Sequence, residues 1–170
     1  GLILAVTAEE KDYTAVAEAF APFAAALPQK HYPAAEYALE ESVKNEGLTN
    51  SSRVQYVGKG ANFRAMGYPF TGAMRVLETI MRYGYLWNRV RVQGGAYGAA
   101  AQFTREGAMV FTSYRDPNLS ETLDVYDSVA DYLRGFTASE REMTKYIIGT
   151  ISALDTPLTP QMKGDIAATF

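Results

Sequence analysis

Two short apolar segments, Ala99–Phe103 and Ala108–Tyr114, flank the turn-forming run Thr104-Arg105-Glu106-Gly107, and that pattern predicts a β-hairpin. A further strand is predicted upstream at Arg53–Gly58, where Val54 and Tyr56 alternate, and Gly58-Lys59-Gly60 predicts a turn or bulge. Helical periodicity surrounds these strands. After Tyr68-Pro69, Thr71 opens a helix with Met74, Leu77, Ile80 and Met81 on one face and Gly84 at its end. Beyond the hairpin, Asp116-Pro117-Asn118 caps a helix whose apolar face is Leu119, Leu123, Tyr126, Ala130 and Leu133, ending at Gly135. Thr137-Ala138-Ser139-Glu140 reads as a capping box for a helix with Met143, Ile147, Ile151 and Leu154 turned inward. Thr159-Pro160 opens another helix, with proline in its first turn.

The N-terminal part follows the same logic with weaker signals. Leu2–Val6 is a continuous apolar run and reads as a buried strand. Thr7-Ala8-Glu9-Glu10 has capping-box spacing. Tyr13, Val16, Ala17, Phe20, Phe23, Ala24 and Leu27 recur at helical steps, in a helix bent or ended near Pro22. Residues 28–50 are polar and acidic and read as an irregular connection, with a short helical piece at Ala34–Lys44. The order strand, helix, loop, strand, helix, two strands and helices predicts an α+β fold. Its expected form is a two-layer sandwich, a mostly antiparallel sheet with helices packed on one face, in a single domain over residues 1–170. Starting on a strand and stopping inside a helix suggests a domain cut from a longer chain.

Composition narrows the function. The 170 residues carry 16 basic and 19 acidic side chains, a net charge of −3, which offers no field to attract a nucleic-acid backbone. No apolar run reaches the roughly 18 residues of a membrane span, so no membrane association is expected. There is no cysteine, hence no disulfide, thiolate metal site or thiol nucleophile. The one histidine is His31, in a loop-like stretch and read as a surface or partly packed ring. Catalytic zinc asks for two or three histidines, or a His/Glu set with two on one helix face. No metal site is therefore expected within this chain, and the fragment alone is expected to be inactive.

The stretch that carries chemistry is Arg89-Val90-Arg91-Val92-Gln93-Gly94-Gly95-Ala96-Tyr97-Gly98. Adjacent glycines permit positive φ or close approach of another chain. The small residues from Gly98 to Ala101 leave room for a second backbone. Arg91 is a permanently charged five-donor fork suited to a carbonyl or carboxylate, and Tyr97 offers a hydroxyl donor. Without further support these features also fit a Gly-Gly turn with Arg91 in an ion pair and Tyr97 in the core. A phosphate cradle is disfavoured, since the glycines lead into a strand and no Walker lysine pattern is present. Trp87, Tyr83 and Tyr85 cluster near this stretch and could line a binding chamber, but packing is the preferred reading and no function is assigned to them.

Val54-Gln55-Tyr56-Val57-Gly58-Lys59-Gly60, Leu86-Trp87 and Arg91–Gly98 resemble the C-terminal half of insulinase/pitrilysin-family zinc metallopeptidases, nearest the presequence-peptidase branch. The similarity runs through essentially all 170 residues and is most specific from Arg53 to Asn118. It implies the fourth of four related α+β domains, of the insulinase/mitochondrial-processing-peptidase type. The parent would be a zinc metalloendopeptidase of unfolded peptides, with the zinc bound in an N-terminal half absent here. In the family an arginine and a tyrosine of this region reach the substrate, and they match Arg91 and Tyr97. The resemblance implies that Arg91, with Gly94 and Gly95, binds substrate near the cleaved bond. Tyr97 would stabilise the oxyanion. It implies a cytoplasmic protein if bacterial and a mitochondrial or plastid one if eukaryotic. The alternative is a non-catalytic structural or peptide-capturing homologue, separated from the first reading by whether the N-terminal half carries a zinc motif. An independent small-molecule enzyme is disfavoured, because histidine, cysteine and tight carboxylate clusters are lacking.

Overall fold

A computed structural model of the chain describes residues 5–28, 30, 33, 35–38 and 45–169. It divides into two compact units, residues 48–155 and the two ends, 1–47 with 156–170.

In the larger unit, β1 (Gln55–Asn62), β2 (Gly98–Phe103) and β3 (Ala108–Asp116) form an antiparallel sheet in the order β1-β3-β2. The predicted hairpin is present, with Phe103 opposite Met109 across its four-residue loop. The predicted turn at Gly58-Lys59-Gly60 is not: β1 runs straight through it, each residue paired with β3. The irregularity lies instead between Gln55 and Val57, opposite Asp116 and Ser113.

Alternation sorts the two faces of the sheet. Val57, Ala101, Phe103 and Phe111 are buried, whereas Tyr56, Gly58, Thr112 and Tyr114 point to the exposed face. Helices cover the first face, which makes the fold α+β with one sheet face packed. Helix α2 (Gly72–Met81) lays Met74, Leu77 and Met81 against this core. Glu78 on α2 accepts a hydrogen bond from the Phe103 backbone N–H at 2.5 Å and another from Arg75 at 3.2 Å, tying the helix to the end of edge strand β2. Beyond the sheet come α3 (Ser120–Asp127), α4 (Val129–Arg134) and α5 (Glu140–Leu154). On α3, the Tyr126 ring stacks on Phe111 at 5.5 Å, and its hydroxyl donates to the Val57 carbonyl at 3.4 Å.

Several local signals resolve differently from the sequence reading. Gly84 does not end its helix, which continues to Gln93. A Cβ there would meet the Tyr132 hydroxyl at 2.3 Å, so the glycine marks a close approach rather than a stop. The capping box before α5 is real but shifted: Ser139 caps and Glu142 reaches back, not Thr137 and Glu140. On α5 the buried contact is polar. Thr150 meets Thr79 of α2 with hydroxyls 2.8 Å apart, while Ile147, Ile151 and Leu154 are exposed rather than inward. Asp116, fully buried, accepts from the Asn118 N–H at 2.9 Å and the Thr122 hydroxyl at 2.7 Å, so it pins the first turn of α3 from outside.

In the smaller unit, α1 (Glu10–Ala26) carries Pro22 without ending there, and its N-cap is Glu9, with no side-chain capping bond from Thr7. Helix α6 (Pro160–Thr169) starts on proline as predicted, with the Thr159 hydroxyl accepting from the Met162 N–H at 3.2 Å. The expected strand at Leu2–Val6 lies outside the described residues except for Ala5 and Val6, which are not in a strand. Of the expected helical piece Ala34–Lys44, residues 35–38 are non-helical and the rest lie outside the described residues, as does His31.

Gly84→Ala should therefore lower unfolding free energy by about 1–3 kcal/mol through overpacking against Tyr132, measured by denaturant titration. A second expectation concerns alkaline pH. Burial first, and the Asp116 charge after it, push the Tyr126 phenol from its ordinary 10.0 up to about 12. The unfolded chain loses this proton first, so the stability Tyr126 contributes is complete below pH 10 and is lost as pH rises through about 12. Tyr126→Phe should flatten that part of the stability–pH curve, and curves of equal slope would refute the assignment.

Candidate functional site

A helix that widens as it ends delivers the site. From Arg82 to Gln93 the helix begun by α2 continues with the i→i+5 hydrogen bonds of a π-helix, a geometry frequent at functional sites. At its exit the Gly94 N–H donates to the Arg89 carbonyl at 3.1 Å, Gly95 to Arg91 at 3.0 Å and Ala96 to Val90 at 3.2 Å. The last two bonds each span one residue more than the pair that closes an α-helix in the Schellman motif, as a wider turn requires. Gly95 adopts a φ of 81°, and a Cβ on Gly94 would lie 2.6 Å from the Val90 carbonyl oxygen. One glycine supplies the left-handed turn and the other supplies room. The Asn118 side-chain amide donates to the Gly94 carbonyl and fixes this exit to the loop after β3.

The exit turns the chain back on its own helix. Arg91 Nε donates to the Tyr97 carbonyl at 2.9 Å, and the Arg91 guanidinium carbon sits 4.3 Å from the centre of the Trp87 ring. Among the described residues no carboxylate pairs with Arg91. The Tyr97 N–H donates to the Tyr114 carbonyl at 3.0 Å, and its ring meets Tyr114 edge-on at 5.6 Å. Tyr114 in turn meets Tyr56 edge-on at 5.2 Å. Braced from the side, Tyr97 remains 66% exposed.

The irregularity in β3 aims this aromatic row. Between the pairs Gln55–Asp116 and Val57–Ser113, Tyr114 and Arg115 together oppose Tyr56, which is a β-bulge. Arg115 takes a φ of 48°, left-handed for a residue with a side chain, and its guanidinium lies 5.6 Å from the Tyr114 ring centre. Such strain persists only where its surroundings enforce it. Here the fully buried Asp116 does so from the next position.

Together these side chains line an open groove of about 570 Å³, bounded by Tyr56, Trp87, Arg91, Tyr97 and Tyr114 over the small residues of β2. Arg82 lines it too, and among the described residues no carboxylate does. Sequence reasoning found Arg91 and Tyr97, and the structure brings both together here. It missed Trp87, which is not core packing but 40% exposed against Arg91, whereas Tyr85 is buried. Four-residue spacing from Arg91 was the available signal. Gly94 lines a different cleft of about 410 Å³, beside Arg89, Asn118 and Asp124. Among the described residues no three His, Cys, Asp or Glu side chains gather as metal ligands.

A family model described as the PreP C-terminal domain matches residues 45–168. The chain belongs to the PreP C-terminal domain family. A protein named HypA from Clostridium perfringens is 43% identical over 169 residues, 99% of this chain and 17% of that protein. Presequence protease 1, chloroplastic/mitochondrial, from Arabidopsis thaliana is 38% identical over 168 residues, 96% of this chain and 15% of its own length. A mitochondrial presequence protease from Xenopus tropicalis is 32% identical over 111 residues, 65% of this chain and 11% of the relative. The chain thus spans about a sixth of the length of these first two relatives. The resemblance to the presequence-peptidase branch is borne out, and the groove holding Arg91 and Tyr97 lies inside the matched region.

Gly94→Ala should open the helix exit, because the collision is with backbone and no rotamer relieves it. The expected loss is about 1–3 kcal/mol in thermal or denaturant unfolding. Gly98→Ala, whose Cβ meets nothing within 4 Å, should leave stability nearly unchanged and serves as the control.

Proposed function

We propose that this domain is the substrate-gripping wall of a zinc metalloendopeptidase that degrades unfolded peptides. The observation that carries the proposal is Arg91, tethered through Nε to the Tyr97 carbonyl with no carboxylate partner among the described residues, beside an exposed tyrosine in a groove without acids. A guanidinium so held offers its remaining N–H groups to a peptide carbonyl. The Tyr97 hydroxyl then serves as donor to the oxygen that gains charge as the peptide carbon becomes tetrahedral. Gly94 and Gly95 contribute to substrate binding by setting the turn that joins these two residues. Names of relatives as presequence proteases support a peptidase parent.

In this reading the zinc lies in an N-terminal half of the same parent chain. Among the described residues no donor set for it gathers, and in this reading peptide cleavage needs that other half. Its partners are the unfolded peptide and that catalytic half. No helix among the described residues is long and apolar enough to cross a membrane. The proposed location is the cytoplasm in a bacterial owner and a mitochondrion or plastid in a eukaryotic one, in line with the names of the Arabidopsis and Xenopus relatives.

The test is hydrolysis of a quenched fluorescent peptide by the full-length protein carrying this chain, wild type against Tyr97→Phe, at equal zinc content. Turnover should fall by about 10²–10³ with little change in peptide binding, the usual loss of an oxyanion donor. Equal rates would reduce Tyr97 to a packing residue. A wild type that binds peptide without cleaving it would favour the non-catalytic, peptide-capturing homologue.

A further inference from the structure

We infer that Trp87 is the positioning residue for Arg91, its indole face holding the guanidinium in the orientation that meets a substrate oxygen. The inference rests on the reading of Arg91 as a substrate contact.

An arginine side chain has many rotamers, and one that must meet a single carbonyl gains from having them removed beforehand. Two restraints do so here. The Tyr97 carbonyl takes the Nε hydrogen at 2.9 Å, and the Trp87 ring covers one guanidinium face at 4.3 Å. What remains is the outer edge with its four Nη hydrogens, on a residue that lines the groove. Tryptophan is the side chain whose π-face attracts a cation best. The neighbouring aromatics do other things: Tyr83 lies against Arg82 at 5.4 Å, and Tyr85 stacks on Tyr132 at 4.7 Å. Trp87 stands outside the buried core cluster, so replacing it spares the packing that holds the sheet to the helices.

The decisive comparison is a mutant cycle in the full-length protein, with peptide hydrolysis measured for Trp87→Leu, Trp87→Tyr, Arg91→Met and the Trp87→Leu/Arg91→Met double variant. Trp87→Leu should lower kcat/KM by about threefold to thirtyfold, the span of a cation–π contact. Trp87→Tyr should recover most of that, and the double variant should be no worse than Arg91→Met. Losses that add in the double variant would overturn the proposal and make Trp87 a substrate contact in its own right.

A readout independent of activity comes from the chain itself, in which Trp87 is the one tryptophan. Arg91→Met should change its fluorescence yield and Arg91→Lys should change it less. Unchanged emission in Arg91→Met would mean no stack and would end the proposal whatever the kinetics. If emission changes while Arg91→Met hydrolyses peptide normally, the substrate role of Arg91 falls, and the positioning role falls with it.

Discussion

Arg91 hydrogen-bonds the carbonyl of a residue six positions further on, and this contact exists because the preceding helix ends in widened turns. An i→i+5 helix advances each side chain through a smaller angle than an α-helix does. Returning residues 82–93 to α geometry would turn Arg91 about the helix axis relative to the exit and carry its Nε away from the Tyr97 carbonyl, while Trp87, four residues earlier, would stay its neighbour. The exit depends on the same geometry. Its closing bonds reach one residue further than an α-helix needs, and the two glycines admit that longer reach. Helix register, glycine pair and arginine placement are one arrangement, and none can change without the others.

The sheet answers this arrangement from the other side of the groove. A bulge in β3 puts Tyr114 between Tyr56 and Tyr97, so Tyr97 is held edge-on instead of swinging on its single connection to the helix exit. Arg115 carries the unfavourable backbone angle that makes the bulge, of order 1–2 kcal/mol for a residue with a Cβ. Asp116 anchors it through the first turn of α3. Glu78 performs a comparable service at the opposite end of β2, tying that strand to α2. Each of these two strands is thus held to a neighbouring helix by a buried or half-buried carboxylate.

Much of this is legible in the residues alone. Two short apolar segments, Ala99–Phe103 and Ala108–Tyr114, around a turn-forming run were enough to read the hairpin, because a hairpin is a local element. Arg91 and Tyr97 stood out as a cation and a donor bracketing a glycine pair, and their matches to a known family singled them out further. What sequence could not supply was tertiary. Gly84 reads as a helix stop, but its lack of a side chain answers Tyr132, nearly fifty residues later and on another helix. Both Thr137 and Ser139 have capping-box spacing to a glutamate, Glu140 and Glu142, and the structure uses the second pair. Ile147, Ile151 and Leu154 follow helical spacing faithfully yet lie outward, since periodicity gives a stripe but not the side on which the core stands. No residue pattern distinguishes a π-helix from an α-helix here, so the feature that positions Arg91 was invisible.

The strand order β1-β3-β2 carries a consequence for how the sheet is made. Strands β2 and β3 are joined by four residues and zip together as a local event, fast and low in closure entropy. Strand β1 must find β3 from across the whole of α2, the widened helix and the hairpin itself. Pairing over that distance is the slow kind of contact in small domains. Until it forms, β3 presents an unsatisfied edge rich in β-branched and aromatic residues. The aromatic row of the groove is then also incomplete, because Tyr56 arrives with β1. Assembly of the groove therefore waits on this long-range pairing.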